Sequence, residues 1–174
     1  QWKSTENDNL LVWESGKEGR LFFRIIELID RSKEMICLQS FLIQDTQIVD
    51  ALVRAQERGV RIFILDSAHA RLTKDIEEDR NHSIKDYITM ISAKFKYRFV
   101  HRQAKNFHAK FILIDPREAP KGILFTGNFN ELPFYKNPEL GVELSEEQTI
   151  ELYKVFVYHF WELSTDEQLP NNSF

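Results

Sequence analysis

His108 and Lys110 lie two residues apart in the run Phe107-His108-Ala109-Lys110-Phe111-Ile112-Leu113-Ile114-Asp115, whose apolar character reads as a strand. Strand side chains alternate between faces, so a histidine and a lysine at this spacing address the same ligand. Pro116 and Pro120 mark a turn, and beyond it stands Thr126-Gly127-Asn128-Phe129-Asn130. There Asn128 and Asn130 repeat the spacing, and Gly127 lets backbone approach a ligand closely. An imidazole can act as a nucleophile, while an ammonium and two carboxamides supply fixed donors for negative charge developing at a reacting centre. These groups gather at one sheet end.

The elements that must position them read as an α/β fold. Leu21, Phe22, Ile25, Leu28 and Ile29 recur at helical spacing within residues 18–31. Met35 to Ile43 is nearly continuous apolar sequence around Gln39 and Ser40, as in a strand buried on both faces. Asp45 or Thr46 caps a helix carrying Ile48, Leu52 and Ala55; Gly59 ends it, and Val60 to Leu65 forms the next strand. Strand, helix and strand in that order make the two strands parallel. Further strands are expected at Tyr97–His101, Phe107–Asp115 and Gly122–Thr126, and a helix through Ile84, Tyr87, Ile88 and Ile91. Residues 146–162 close the chain as a helix with Ile150, Tyr153, Val157 and Trp161 along one stripe and Phe156 and Phe160 beside it. The expected architecture is a mixed, largely parallel sheet flanked by helices. Because His108 begins its strand, the polarity of the sheet decides whether these residues meet at the carboxyl strand ends, where open α/β sheets bind ligands.

Composition sets the bounds. At 174 residues, 43% of them apolar, with six glycines and five prolines, the chain reads as one globular domain over 1–174. A chain that opens on Gln1 reads as a piece of something longer. The net charge of −4 gives no whole-molecule field for non-specific nucleic-acid binding, although Lys94, Lys96, Arg98, His101, Arg102, Lys105 and Lys110 make a local basic stretch free of acids. That stretch reads equally as a basic groove or as a solvated edge strand. The single cysteine, Cys37, lies in an apolar run, so no internal disulfide forms and burial is expected. No apolar run reaches transmembrane length and no signal-peptide pattern opens the chain, which favours a cytoplasmic setting.

The chemistry-bearing residues resemble the phospholipase D superfamily, whose motif runs His-x-Lys, four residues, Asp, then Gly-Ser or similar, x, Asn, and later Asn-x-Glu. His108, Lys110, Asp115, Gly127, Asn130, Asn137 and Glu139 match it in order, and the likeness extends upstream through Arg58-Gly59-Val60 and downstream to Phe156 and Trp161. Asn128 replaces the usual Ser or Gly, and the turn after Asp115 is longer than usual. Both departures bear on substrate preference rather than on chemistry.

The resemblance implies a phosphodiesterase that needs no metal and no cofactor. His108 attacks phosphorus to give a phosphohistidine, Lys110 and Asn130 stabilise the non-bridging oxygens, and Asn128 adds a donor. Glu139 accepts a hydrogen bond from the histidine and fixes its tautomer. Asp115 belongs to the same motif set, but its odd parity from His108 turns it to another face and gives it a supporting structural role. Gly127, Asn128 and Asn137 are the expected substrate-binding positions. A second histidine must protonate the leaving oxygen, so the resemblance implies a second motif from a homodimer partner or a tandem domain.

Plainer readings stand beside these. An isolated strand histidine is ordinarily a surface or satisfied core residue, and His69, His82, His101 and His159 keep that reading because they lack the company His108 has. Phe107, Phe111, Phe125 and Phe129 read as core or pocket wall before they read as a stacking platform. The run Asp75-Glu77-Glu78-Asp79 reads as solvated loop. The reacting group is the same in a phospholipid headgroup and a nucleic-acid backbone, so the motif is neutral between a lipase and a nuclease. A polyphosphate-kinase-like phosphotransferase and a non-catalytic binding or dimerisation domain are the alternatives.

Overall fold

The computed structural model describes residues 12–14, 20–40, 43, 45–67, 99–104, 108–127 and 139–165. The helix expected through Ile84 to Ile91, the acidic run after Asp75, His69 and His82 lie outside the described residues, as do Asn128, Asn130 and Asn137.

Among the described residues eight strands form one sheet: β1 (Val12–Glu14), β2 (Met35–Gln39), β3 (Arg61–Ser67), β4 (Phe99–Ala104), β5 (Phe111–Ile114), β6 (Lys121–Phe125), β7 (Leu140–Leu144) and β8 (Ser164–Thr165), in the spatial order β1-β7-β6-β5-β2-β3-β4-β8. The sheet is mixed, as expected, but its parallel part is smaller than expected. Among the described strands only β2 with β3 and β3 with β4 run parallel; β5, β6, β7 and β1 follow antiparallel, the short turn after Asp115 reversing the chain between β5 and β6.

Two helices cover one face. Helix α1 (Arg20–Arg31) buries Leu21, Phe22, Ile25, Leu28 and Ile29, the stripe its sequence displays. Helix α2 (Thr46–Glu57) starts where Asp45 accepts hydrogen bonds from the Gln47 and Ile48 amides at 2.9 and 3.1 Å, and Gly59 follows its end at φ 94°. Both helices pack on Ile36, Leu38, Ile62, Ile64, Ile112 and Ile114. The opposite face carries Met35, Cys37, Leu65, Phe111 and Leu113 under helix α3 (Glu146–Tyr158). Strand β2 is therefore buried on both sides, and desolvation pushes the Cys37 thiol far above its ordinary pKa.

Helix α3 begins with a capping box between Ser145 and Gln148. It departs from the expected orientation: Thr149 and Phe156 face the sheet, with Leu152 and Tyr153 partly buried, and Phe160 follows them in the π-helical turn His159–Leu163, while Ile150, Val157 and Trp161 point outward. Phe156 and Phe160 stack with centroids 5.3 Å apart and meet Phe111 and Phe63 edge-on. The two helix rings find two sheet rings to pack against, which makes this face the one that buries aromatic area on both sides of the contact.

The pairing register decides where the site lies. Gln39 of β2 stands opposite Phe111 of β5, and Phe125 of β6 opposite Gly141 of β7. His108–Lys110, Thr126–Gly127 and Glu139 therefore all project from the end of the sheet at which the parallel strands β2, β3 and β4 finish. The polarity is the one that ligand binding in α/β sheets requires.

Candidate active site

His108 precedes β5 rather than lying within it, and it is exposed; Lys110, one residue before the strand, is buried. The ladder fixes Lys110 from both sides of its chain: the Phe125 amide donates to the Lys110 carbonyl at 3.0 Å, and Phe111 is paired with Gln39. From that anchored backbone the ammonium turns back along its own chain. It donates to Nδ1 of His108 at 3.2 Å and to the His108 carbonyl oxygen at 3.2 Å. The two residues thus meet as their spacing predicted. Burial holds the Lys110 ammonium below the ordinary lysine pKa, and the negative charge of Glu139 partly offsets that fall.

Glu139 reaches the same sheet end from the start of β7. Thr126 holds it there: the hydroxyl donates to a Glu139 carboxylate oxygen and accepts from the Leu140 amide at 3.1 Å, while the Thr126 amide donates to the Leu140 carbonyl at 3.0 Å. Thr126 did not stand out among the sequence candidates. Its adjacency to Gly127 inside the motif segment was the available signal, and a threonine at a strand end reads first as a β-former. Gly127 is buried beside it.

Asp115 lies apart from these residues, at the opposite end of β5. Its carboxylate accepts from the amides of Lys33 at 2.9 Å, Glu34 at 2.7 Å and Met35 at 2.9 Å, which open strand β2. Its own amide donates to the Met35 carbonyl at 2.8 Å, and its backbone takes φ 45°, a left-handed conformation that aspartate tolerates better than most residues. A carboxylate that accepts from three amides at the far end of the strand ties β5 to β2, in keeping with the supporting structural role read for it in the sequence.

The basic stretch divides. Lys94, Lys96, Arg98 and Lys105 lie outside the described residues. His101 is turned inward, its Nε2 2.8 Å from Asp66, which also accepts from Gln103 Nε2 at 2.9 Å. Arg102 hydrogen-bonds Ser164, and its guanidinium lies 5.1 Å from the Trp161 ring centroid and 5.6 Å from that of Phe160. These two members serve internal contacts. Among the described residues no helix is long and apolar enough to cross a membrane.

A histidine and a buried lysine in contact at the ligand-binding end of an α/β sheet, with a carboxylate held nearby, is an arrangement a sequence family would preserve as a unit. The family model described as "Cardiolipin synthase, PLD-like domain" matches residues 25–163. The chain belongs to this phospholipase D-like family. Membership places it with phosphodiesterase-type enzymes of that superfamily. Among solved structures, this phospholipase D-like domain is similar to Nuc, a phospholipase D family member from Salmonella typhimurium, with TM-score 0.68 and 23% identity over 90% of this chain and 96% of that one. NucT from Helicobacter pylori gives TM-score 0.67 and 13% identity over 90% and 98% of the two chains. Polyphosphate kinase from Porphyromonas gingivalis gives TM-score 0.59 and 17% identity over 92% of this chain but 27% of that one. At these identities each likeness speaks for the fold. A search of curated proteins returned no match.

Proposed function

We propose that this phospholipase D-like domain cleaves or transfers across a phosphodiester bond through a phosphohistidine formed on His108, without a metal. The observation that carries the reading is the 3.2 Å contact between the Lys110 ammonium and the His108 ring at the carboxyl end of the parallel strands. A nucleophile and a fixed cation then share one anionic ligand.

The lone pair of a His108 ring nitrogen attacks phosphorus; a P–N bond forms, the P–O bond to the leaving group breaks, and the leaving oxygen takes a proton from a second histidine. Water or an alcohol then attacks phosphorus, returns its proton to that second histidine and releases His108. Lys110 holds the non-bridging oxygens, and Asn130 and Asn128 are proposed to add donors. Glu139 is proposed to keep the histidine in its reactive tautomer, with Thr126 orienting the carboxylate. The second histidine comes from a second copy of the motif, supplied by a homodimer partner or a tandem domain.

Hydrolysis of bis(p-nitrophenyl) phosphate in EDTA tests this. Wild-type turnover that survives the chelator and disappears in His108→Ala, with a denatured phosphoprotein trapped during turnover, supports the reading; turnover that persists in His108→Ala refutes it. Substrate class is read separately, by comparing cleavage of a single-stranded oligonucleotide with that of phospholipid vesicles. The family description names a lipid enzyme, whereas Nuc is named only as a phospholipase D family member.

A further inference from the structure

The Ala109–Lys110 peptide is held by a side chain that the mechanism above does not use. Gln39, the last residue of β2, is fully buried, and its Nε2 donates to the Ala109 carbonyl at 3.4 Å. Its Oε1 stands 3.2 Å from Nδ1 of His159, the first residue of the π-helical turn that follows α3. An amide oxygen can only accept, so the His159 ring carries its proton on Nδ1 and donates. Burial holds His159 below the ordinary histidine pKa, which favours the neutral ring.

This chain of donors has one direction. The Ala109 carbonyl can only accept, so the Gln39 NH2 must face it and the Gln39 oxygen is left to face His159. The reverse orientation would set the Gln39 oxygen against the Ala109 carbonyl, two acceptors in contact. Ala109 lies before the ladder of β5 and is exposed, so the direction of its carbonyl is not set by strand pairing. A buried amide is costly unless both its ends are satisfied, and here both are spent on one task. The π-helical turn that begins at His159 is a form met more often at functional sites than elsewhere.

We infer that Gln39 and His159 are positioning residues for the active site, orienting through the Ala109 carbonyl the Ala109–Lys110 peptide, and with it the turn by which Lys110 folds back onto His108. The inference rests on the phosphodiesterase reading for its kinetic effect, but not for its structural one.

The test compares His159→Phe, which keeps an aromatic ring and removes the donor, with His159→Asn, whose carboxamide restores an N–H near the same place, and with Gln39→Leu. Bis(p-nitrophenyl) phosphate turnover is measured in EDTA together with the Cε1–H resonance of His108. His159→Phe should lower kcat about tenfold with KM within about twofold, as expected for one lost orienting hydrogen bond. Gln39→Leu should lower kcat at least as far, and the double variant no further, because both act through one chain. His159→Asn should return to within about threefold of wild type. The His108 resonance should move in His159→Phe and revert in His159→Asn. Since His159 is only half-buried, these two variants carry the test even where Gln39→Leu fails to fold. An unmoved His108 resonance in His159→Phe, or an asparagine that restores neither readout, overturns the inference. Wild-type protein without turnover assigns the second motif to a domain other than a partner copy, and the resonance then decides the inference alone.

Discussion

The Lys110 ammonium donates to Nδ1 of His108 across 3.2 Å, which makes that nitrogen an acceptor and places the proton of the neutral ring on Nε2. In this resting arrangement Nε2 has no lone pair to offer. A phosphoryl oxyanion is a stronger partner for an ammonium than an imidazole nitrogen is, so an anionic ligand should draw Lys110 away and leave Nδ1 to take the proton. Nitrogen-15 spectra of His108 should therefore report the Nε2–H tautomer in the free protein and Nδ1–H after addition of orthovanadate in EDTA. A ring that stays Nε2–H with the oxyanion bound would contradict a nucleophilic Nε2.

The same lysine opposes stability to function. Its pKa in the fold is depressed by burial, so the unfolded chain binds the proton more tightly and stability rises with pH between the folded value and the ordinary lysine value of about 10.4. Below that window the penalty is fully present. Lys110→Met should therefore raise the melting temperature at pH 7, and the gain should shrink as pH climbs past about 10. Turnover should fall by about two to three orders of magnitude, as for loss of one electrostatic donor. A variant less stable than wild type at pH 7 would show that the contacts of Lys110 outweigh its desolvation.

Asp115 invites the opposite experiment. Its carboxylate closes three amides at the start of β2 and lies at the far end of β5 from His108. Asp115→Ala leaves those donors without an acceptor and puts alanine at a positive φ, a loss of about 3 kcal/mol. That corresponds to a fall of roughly 10 °C in melting temperature for a chain of this size. Asparagine keeps one acceptor and tolerates the backbone, so Asp115→Asn should lose about half as much. In both variants kcat per folded molecule should stay within about threefold of wild type, in contrast to the effect of removing one electrostatic donor at the site. A selective loss of kcat with unchanged melting temperature would return Asp115 to the chemistry.

Much of this was legible before the fold was seen, and the reasons are physical. Helix α1 displays its buried face because five apolar side chains recur at helical spacing with polar residues between them. The Asp45 cap and Gly59 are local signals that need no tertiary context. The meeting of His108 with Lys110 followed from side-chain parity over two residues, which survives even though both precede the strand. Strands β1 and β8 left no mark because segments of three and two residues carry no period. β7 was hidden because it follows directly on Asn137-Pro138-Glu139, where the motif drew the reading. The partnership of Gln39 with His159, 120 positions apart in the chain, depends on which helix crosses which strand end. No local pattern encodes that, so a buried glutamine read as a polar interruption of β2 and His159 as a solitary histidine.

Helix α3 shows how two competing stripes are resolved, and the resolution can be measured. Its sequence offers Ile150, Val157 and Trp161 on one flank and Thr149, Phe156 and Phe160 on another, and the sheet took the second. Phe156 is buried against Phe111 and Phe160, so Phe156→Ala leaves a cavity in a layer of rings and should cost about 3–5 kcal/mol. Trp161 is 53% exposed and meets the Arg102 guanidinium and, edge-on, the Phe160 ring. A cation–π contact at such a site contributes about 0.5–1 kcal/mol, so Trp161→Ala should shift the denaturation midpoint only slightly. Urea unfolding of the two variants at equal concentration separates the stripes. Comparable losses would mean that the tryptophan flank is also covered in solution, and a loss at Trp161 that grew with protein concentration would identify the cover as a second copy of the chain.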